Sequence, residues 1–71
     1  MWFTIKIKGD DPFDRDTFYW NGKRFVENEE NAMMYKTDKD IEFVRSNLFK
    51  TKLGKTILRA AGEDKDRLVI E

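Results

Sequence analysis

The chain contains no cysteine and no histidine. Without cysteine there is no disulfide framework and no thiol nucleophile, a usage that suits a reducing, cytoplasmic compartment. Without histidine the commonest general acid-base is gone. Zinc, copper and haem lose their usual ligands, so neither metal nor cofactor is expected. No apolar run approaches the roughly 20 residues of a membrane span. Lysines interrupt the opening Met1-Trp2-Phe3-Thr4-Ile5-Lys6 too early for a secretory leader, and no Asn-x-Ser/Thr acceptor occurs. A hydrolase built on two carboxylates needs a walled cleft to position them, which a chain of 71 residues seldom supplies. The expectation is a non-enzymatic protein with no membrane and no small-molecule substrate.

What is present is aromatic mass: six Phe, two Trp and two Tyr. A single domain of this length buries only roughly 60 % of its unfolded surface. Each ring contributes about 150–250 Å² of burial, so ten rings stand in for a larger aliphatic core. Charge is balanced in total and split in position. Residues 1–42 hold seven basic and ten acidic groups, and residues 43–71 hold seven and four. Arg45, Lys50, Lys52, Lys55 and Arg59 run between Phe43 and Gly62 without an acid among them, whereas Asp10, Asp11, Asp14 and Asp16 crowd one loop. Such a dipole steers charged partners, and it is equally at home on a solvated small domain.

Alternation of Phe3, Ile5 and Ile7 with Thr4, Lys6 and Lys8 predicts a half-buried strand. Gly9 to Pro12 ends it, and 9–16 reads as a surface loop with Phe13 as a lid. Asn21-Gly22 between two β-prone runs predicts a hairpin with both residues at the centre of a type I′ turn. That register pairs Trp20 with Lys23 and Phe18 with Phe25, and puts Phe18, Trp20 and Phe25 on the core face. Residues 32–36 read as a further short strand, with helix as the competing assignment, after an acidic turn at 27–31. Thr37 or Asp38 offers an N-cap, Ile41, Val44 and Leu48 recur at helical spacing, and Gly54 is a natural C-cap. One main helix over about 38–53 follows. Residues 56–60 and 67–71 read as a second hairpin, or 55–61 as a short helix. The fold class is α+β: a small antiparallel sheet, built from the N-terminal strand, the Asn-Gly hairpin and the C-terminal strands, packed on one helix.

Three motif-like features carry little chemistry. Gly54-Lys55-Thr56 matches the end of a phosphate-binding loop, but the glycine required five positions earlier is Phe49. Asp38, Asp40 and Glu42 have the opening spacing of a calcium loop, whose sixth and twelfth positions are Phe43 and Phe49 instead of Gly and Glu. The four aspartates of the 10–16 loop would hold a hard cation only weakly.

Two aromatics do not fit the core pattern. Phe43 falls opposite the Ile41/Val44/Leu48 stripe, beside Asn47 and Lys50, and Trp2 faces away from Phe3, Ile5 and Ile7. Each ring is either covered by another element or exposed as a docking anchor. The candidate partner-binding residues are therefore Phe43, Asn47 and Lys50, with Asp10, Asp11, Asp14 and Asp16 as a second patch. The alternative is nucleic-acid binding, with Arg45, Lys50, Lys52, Lys55 and Arg59 on phosphates and Tyr19 or Trp20 stacked on bases. The neutral total charge and the two acidic clusters weigh against it. A third reading has the acidic clusters mimic DNA on a DNA-binding protein.

The run Phe18-Tyr19-Trp20-Asn21-Gly22-Lys23-Arg24-Phe25-Val26, then Asn31-Ala32 and Tyr35-Lys36-Thr37 before a helix, resembles a pattern found in small accessory proteins of bacteriophages and mobile elements. The match covers residues 17–50. It implies a protein that binds a host bacterial protein in the host cytoplasm and inhibits or redirects it, and it transfers no catalytic residue.

Overall fold

The computed structural model describes residues 1–9 and 16–71. The fold is α+β, as the sequence pattern predicts. Strands β1 (Trp2–Phe3), β2 (Ile5–Lys8), β3 (Thr17–Trp20), β4 (Phe25–Val26), β5 (Tyr35–Lys36) and β6 (Leu68–Ile70) surround helices α1 (Ile41–Asn47) and α2 (Lys52–Ala60). The main sheet has the order β4-β3-β2-β6, and β1 and β5 form a separate two-stranded ribbon; every pairing is antiparallel. The expected lid Phe13 lies outside the described residues.

β2 is the axis of the sheet. Ile5 and Ile7 are buried on the helix side while Lys6 and Lys8 face outward, the period-two division of a strand with one wet face. Phe3, Ile5, Trp20, Val44, Leu48, Ile57 and Ile70 make one buried cluster, with Phe25, Tyr35, Ile41, Phe49, Leu53 and Leu68 packed around it. Trp20 is 1 % exposed. Its indole Nε1–H donates to the Tyr35 hydroxyl at 3.1 Å, its ring meets Phe25 edge-on at 5.2 Å, and Tyr35 stacks on Phe3 at 5.5 Å. Through that chain of rings the hairpin grips the β1–β5 ribbon.

The hairpin forms with a register two residues away from the expected one: Trp20 pairs with Phe25 and Tyr19 with Val26. Gly22 and Lys23 are the central turn residues, closed by the Asn21 N–H on the Arg24 carbonyl at 3.0 Å. Asn21 spends its side chain instead of adopting positive φ; its Oδ1 accepts from the N–H groups of Lys23 and Arg24 at 2.9 and 2.8 Å. Gly22 alone takes a positive φ, 101°, at the position where type II′ turns place glycine. A slip of two preserves sidedness, so Trp20 and Phe25 still face the core. Of residues 32–36, only Tyr35 and Lys36 are strand, and they pair with Trp2 and Phe3 in the ribbon.

The single helix expected over 38–53 is two helices. The N-cap is Asp40, whose carboxylate accepts the Phe43 N–H at 2.8 Å. α1 tightens into a 3-10 turn at Leu48–Lys50, and Thr51 then caps a new helix by accepting the Gly54 N–H at 3.0 Å. Gly54 is thus in the first turn of α2, not at a helix end. A methyl group there would collide with the Leu48 carbonyl and lie 2.7 Å from the Phe49 Cα, so glycine is what lets α2 start against the preceding turn. The C-cap glycine is Gly62, with φ 71°. Bonds from Glu63 N–H to Leu58 C=O and from Gly62 N–H to Arg59 C=O close a Schellman motif. Residues 56–60 are therefore helix, as the competing assignment had it, and β6 pairs with β2 instead of forming a second hairpin.

Lys6 and Glu71 tie β2 to the end of β6 with an ion pair of 2.8 Å. The hydrogen bond from Lys6, then its charge, holds the Glu71 carboxyl below its ordinary value of 4.5. The same bond holds Lys6 above its ordinary 10.5. A lowered acid stabilises the fold above its ordinary value and loses that contribution as pH falls through the lowered one. A raised base stabilises below its ordinary value and loses the contribution as pH rises through the raised one. The melting-temperature difference between wild type and Glu71→Gln should be small, flat across neutral pH, and close at both the acid and the alkaline end; circular-dichroism melts check this. Gly54→Ala should cost about 3 kcal/mol or more, because the clash is with backbone. Urea unfolding would show the midpoint falling at unchanged slope.

Candidate functional site

α1 and the β1–β5 ribbon meet at Thr37, whose N–H donates to the Met1 carbonyl at 2.9 Å while the Met1 nitrogen donates to the Thr37 carbonyl at 2.9 Å. The ribbon alternates: Phe3 and Tyr35 pair on the inner face, and Trp2 and Lys36 pair on the outer one. Trp2 is consequently 55 % exposed. On α1 the Asp40 cap fixes the helix phase so that Val44 and Leu48 enter the core and Phe43 stays outside, 49 % exposed. Both off-pattern aromatics of the sequence are thus surface groups. Met1 and Met34 are also exposed.

Beside Phe43 lies an open apolar groove of about 170 Å³, lined by Phe3, Thr37, Phe43, Val44, Asn47, Leu48 and Thr51. Each exposed ring carries an ammonium group: Lys39 Nζ stands 5.6 Å from the Phe43 centroid and Lys36 Nζ 5.6 Å from that of Trp2. Cation–π contacts at exposed sites contribute about 0.5–1 kcal/mol, enough to bias where the lysines rest. Each exposed ring thus has a cation against its face, and the Phe43 ring borders the apolar groove.

The other candidates separate. Asn47 is half-buried and its Nδ2 donates to the Phe43 carbonyl at 2.9 Å, so it shapes the groove wall and holds the turn of helix that presents Phe43. Lys50 is exposed on the 3-10 turn. Asp16 is exposed, with its carbonyl accepting the Gly9 N–H at 3.1 Å; Asp10, Asp11 and Asp14 lie outside the described residues. Trp20 is buried and cannot stack on a base, which corrects that part of the nucleic-acid reading. Lys52, Lys55 and Arg59 are exposed at spacings that share one side of α2. Arg45 is apart from them: its Nε donates to the Ile70 carbonyl at 3.1 Å and its Nη1 to Glu42 at 3.0 Å.

Sequence reasoning missed Met34, Lys36 and Lys39 as part of the surface. The Trp2–Lys36 pairing could not be read from either segment, since nothing local shows that two-residue strands at positions 2 and 35 meet. It also missed a second groove of about 380 Å³ along β6, between Arg45, Phe49 and Lys65. Among the described residues no three His, Cys, Asp or Glu side chains converge as metal ligands, and no helix among them is long and apolar enough to cross a membrane. Set against known proteins, the chain matches no family model, no curated protein and no solved structure.

Proposed function

We propose that this chain is a non-enzymatic binding protein that docks on another protein through Phe43, Trp2 and the groove between α1 and the ribbon. The observation that carries the reading is Phe43 itself: a phenylalanine half open to solvent, on a helix whose phase is fixed by its cap, beside an open apolar groove. Exposed aromatics next to a concave apolar surface are the usual anchors of protein interfaces. Lys36 and Lys39 against the rings match a partner whose apolar knob is rimmed by carboxylates. The resemblance of residues 17–50 to phage accessory proteins supports a host bacterial protein as that partner, inhibited or redirected when its surface is covered.

Capture from bacterial lysate, followed by titration of the purified partner, tests this. Phe43→Ala should weaken the complex by about 2 kcal/mol or more and shift folding stability by no more than about 0.5 kcal/mol. Retention unchanged by Phe43→Ala and Trp2→Ala, or no retained protein at all, would remove the proposal.

The exposed cationic side of α2 favours one second reading, a nucleic-acid contact through Lys52, Lys55 and Arg59. Three phosphate contacts give a slope of log affinity on log salt of about −2 to −3. A mobility shift that weakens at that rate, and is lost in Lys52→Glu/Arg59→Glu, would establish it in place of the protein-docking reading.

A further inference from the structure

β6 is an edge of the main sheet, and its backbone is half engaged. Thr4 and Glu71 exchange both hydrogen bonds of an antiparallel pair, at 2.8 and 3.1 Å. Such bonded pairs alternate along a ladder, so Val69 turns its backbone groups toward β2 while Leu68 and Ile70 turn theirs outward. Two of those four outward groups are taken. The Leu68 N–H donates to the Lys65 carbonyl, and the Ile70 carbonyl accepts Arg45 Nε at 3.1 Å. What the edge offers a new strand is the Leu68 carbonyl and the Ile70 N–H.

The two groups flank Val69, and a strand added in either direction can use them: a parallel one through the N–H and C=O of the bridging residue opposite Val69, an antiparallel one through the N–H and C=O of that residue's two neighbours. The neighbours of the bridging residue then face the helix side with Leu68 and Ile70, against Phe49, Arg45 and Lys65, which line the groove of about 380 Å³ along this edge. Both charged lining groups are positive. The acid paired with Arg45 is Glu42, whose side chain is 79 % exposed and therefore readily exchanged for another carboxylate in screened solvent.

We infer that the β6 edge is a docking site for an extended acidic peptide segment of a partner protein, added to β6 opposite Val69, with carboxylate side chains on Arg45 and Lys65. The site is independent of Phe43. α1 stands between the two grooves, with Phe43 and Asn47 lining one and Arg45 the other.

The test uses the nitrogen-15-labelled chain and two capped peptides of about eight residues, one alternating glutamate and valine and one alternating lysine and valine. The acidic peptide should shift the Leu68–Ile70 amides and slow hydrogen exchange at the Ile70 N–H, and the basic peptide should do neither. Lys65→Glu, an exposed change remote from the core, should weaken the acidic peptide about tenfold, and Arg45→Gln at least as much. Shifts from both peptides alike, shifts confined to Trp2 and Phe43, no shift from the acidic peptide, or unchanged affinity in Lys65→Glu would each overturn the inference. So would Ile70 protection that grows with protein concentration alone in step with a sedimenting dimer, since a second copy would then be the occupant.

Discussion

The hydrogen bond from the Trp20 indole to the Tyr35 hydroxyl is the constraint around which this small protein is organised. Trp20 is the largest fully buried side chain, and a buried N–H without a partner costs about 1–3 kcal/mol, a large share of what a domain of this size has to spare. Satisfying it requires Tyr35 to lie over the end of β3, and Tyr35 is held there by pairing with Phe3 and by the Met33 N–H on the Trp20 carbonyl at 2.8 Å. The two-stranded ribbon is therefore a device for closing one polar atom in an aromatic core. Its cost is an outer face bearing Trp2 and Lys36, so among the described residues the most exposed aromatic follows from the most buried one.

A similar economy governs the helical half. Thr51 and Gly54 together let the chain turn through a 3-10 segment and begin a second helix at near-backbone contact. This puts Val44 and Leu48 of one segment and Ile57 of the other on the same side of the sheet. A straight helix of the same length would have carried either Val44 or Ile57 out of reach.

Much of this was legible in local pattern, and the failures have identifiable causes. Strand β2, the core-facing Trp20 and Phe25 of the hairpin and the Ile41/Val44/Leu48 stripe all follow from periodicity; Phe18, expected beside them, is only half-buried and lies outside the core cluster. Helix α2 was hidden because its apolar side reads Leu53, Gly54, Ile57, Leu58, Ala61: the stripe is continuous only if a glycine is counted as a packing position. Glycine chemistry was assigned to the wrong residue, Gly54 for Gly62, since both follow an apolar helical run and only backbone distance separates close approach from positive φ. The hairpin register failed because an Asn side chain that can accept two N–H groups removes the need for its own backbone to enter the left-handed region. Of the site, Phe43, Trp2, Asn47 and Lys50 could be picked out by their mismatch with the core stripe. The Lys36 collar and the β6 groove could not, because they arise where segments distant in sequence meet; the Lys39 contact, one helical turn from Phe43, lay within reach of local pattern.

The placement of β6 has a consequence for how the chain is made. Its partner strand is β2, so residues near position 5 wait for residues near position 70. Until the last strand emerges, Ile5 and Ile7 sit on a strand with one flank open, and hydrophobic edges of that kind recruit other chains. The alternating lysines Lys6 and Lys8 put positive charge on that same strand during the interval. Charges that alternate with apolar residues in this way disfavour strand-to-strand association, and in the folded protein Lys6 goes on to pair with Glu71.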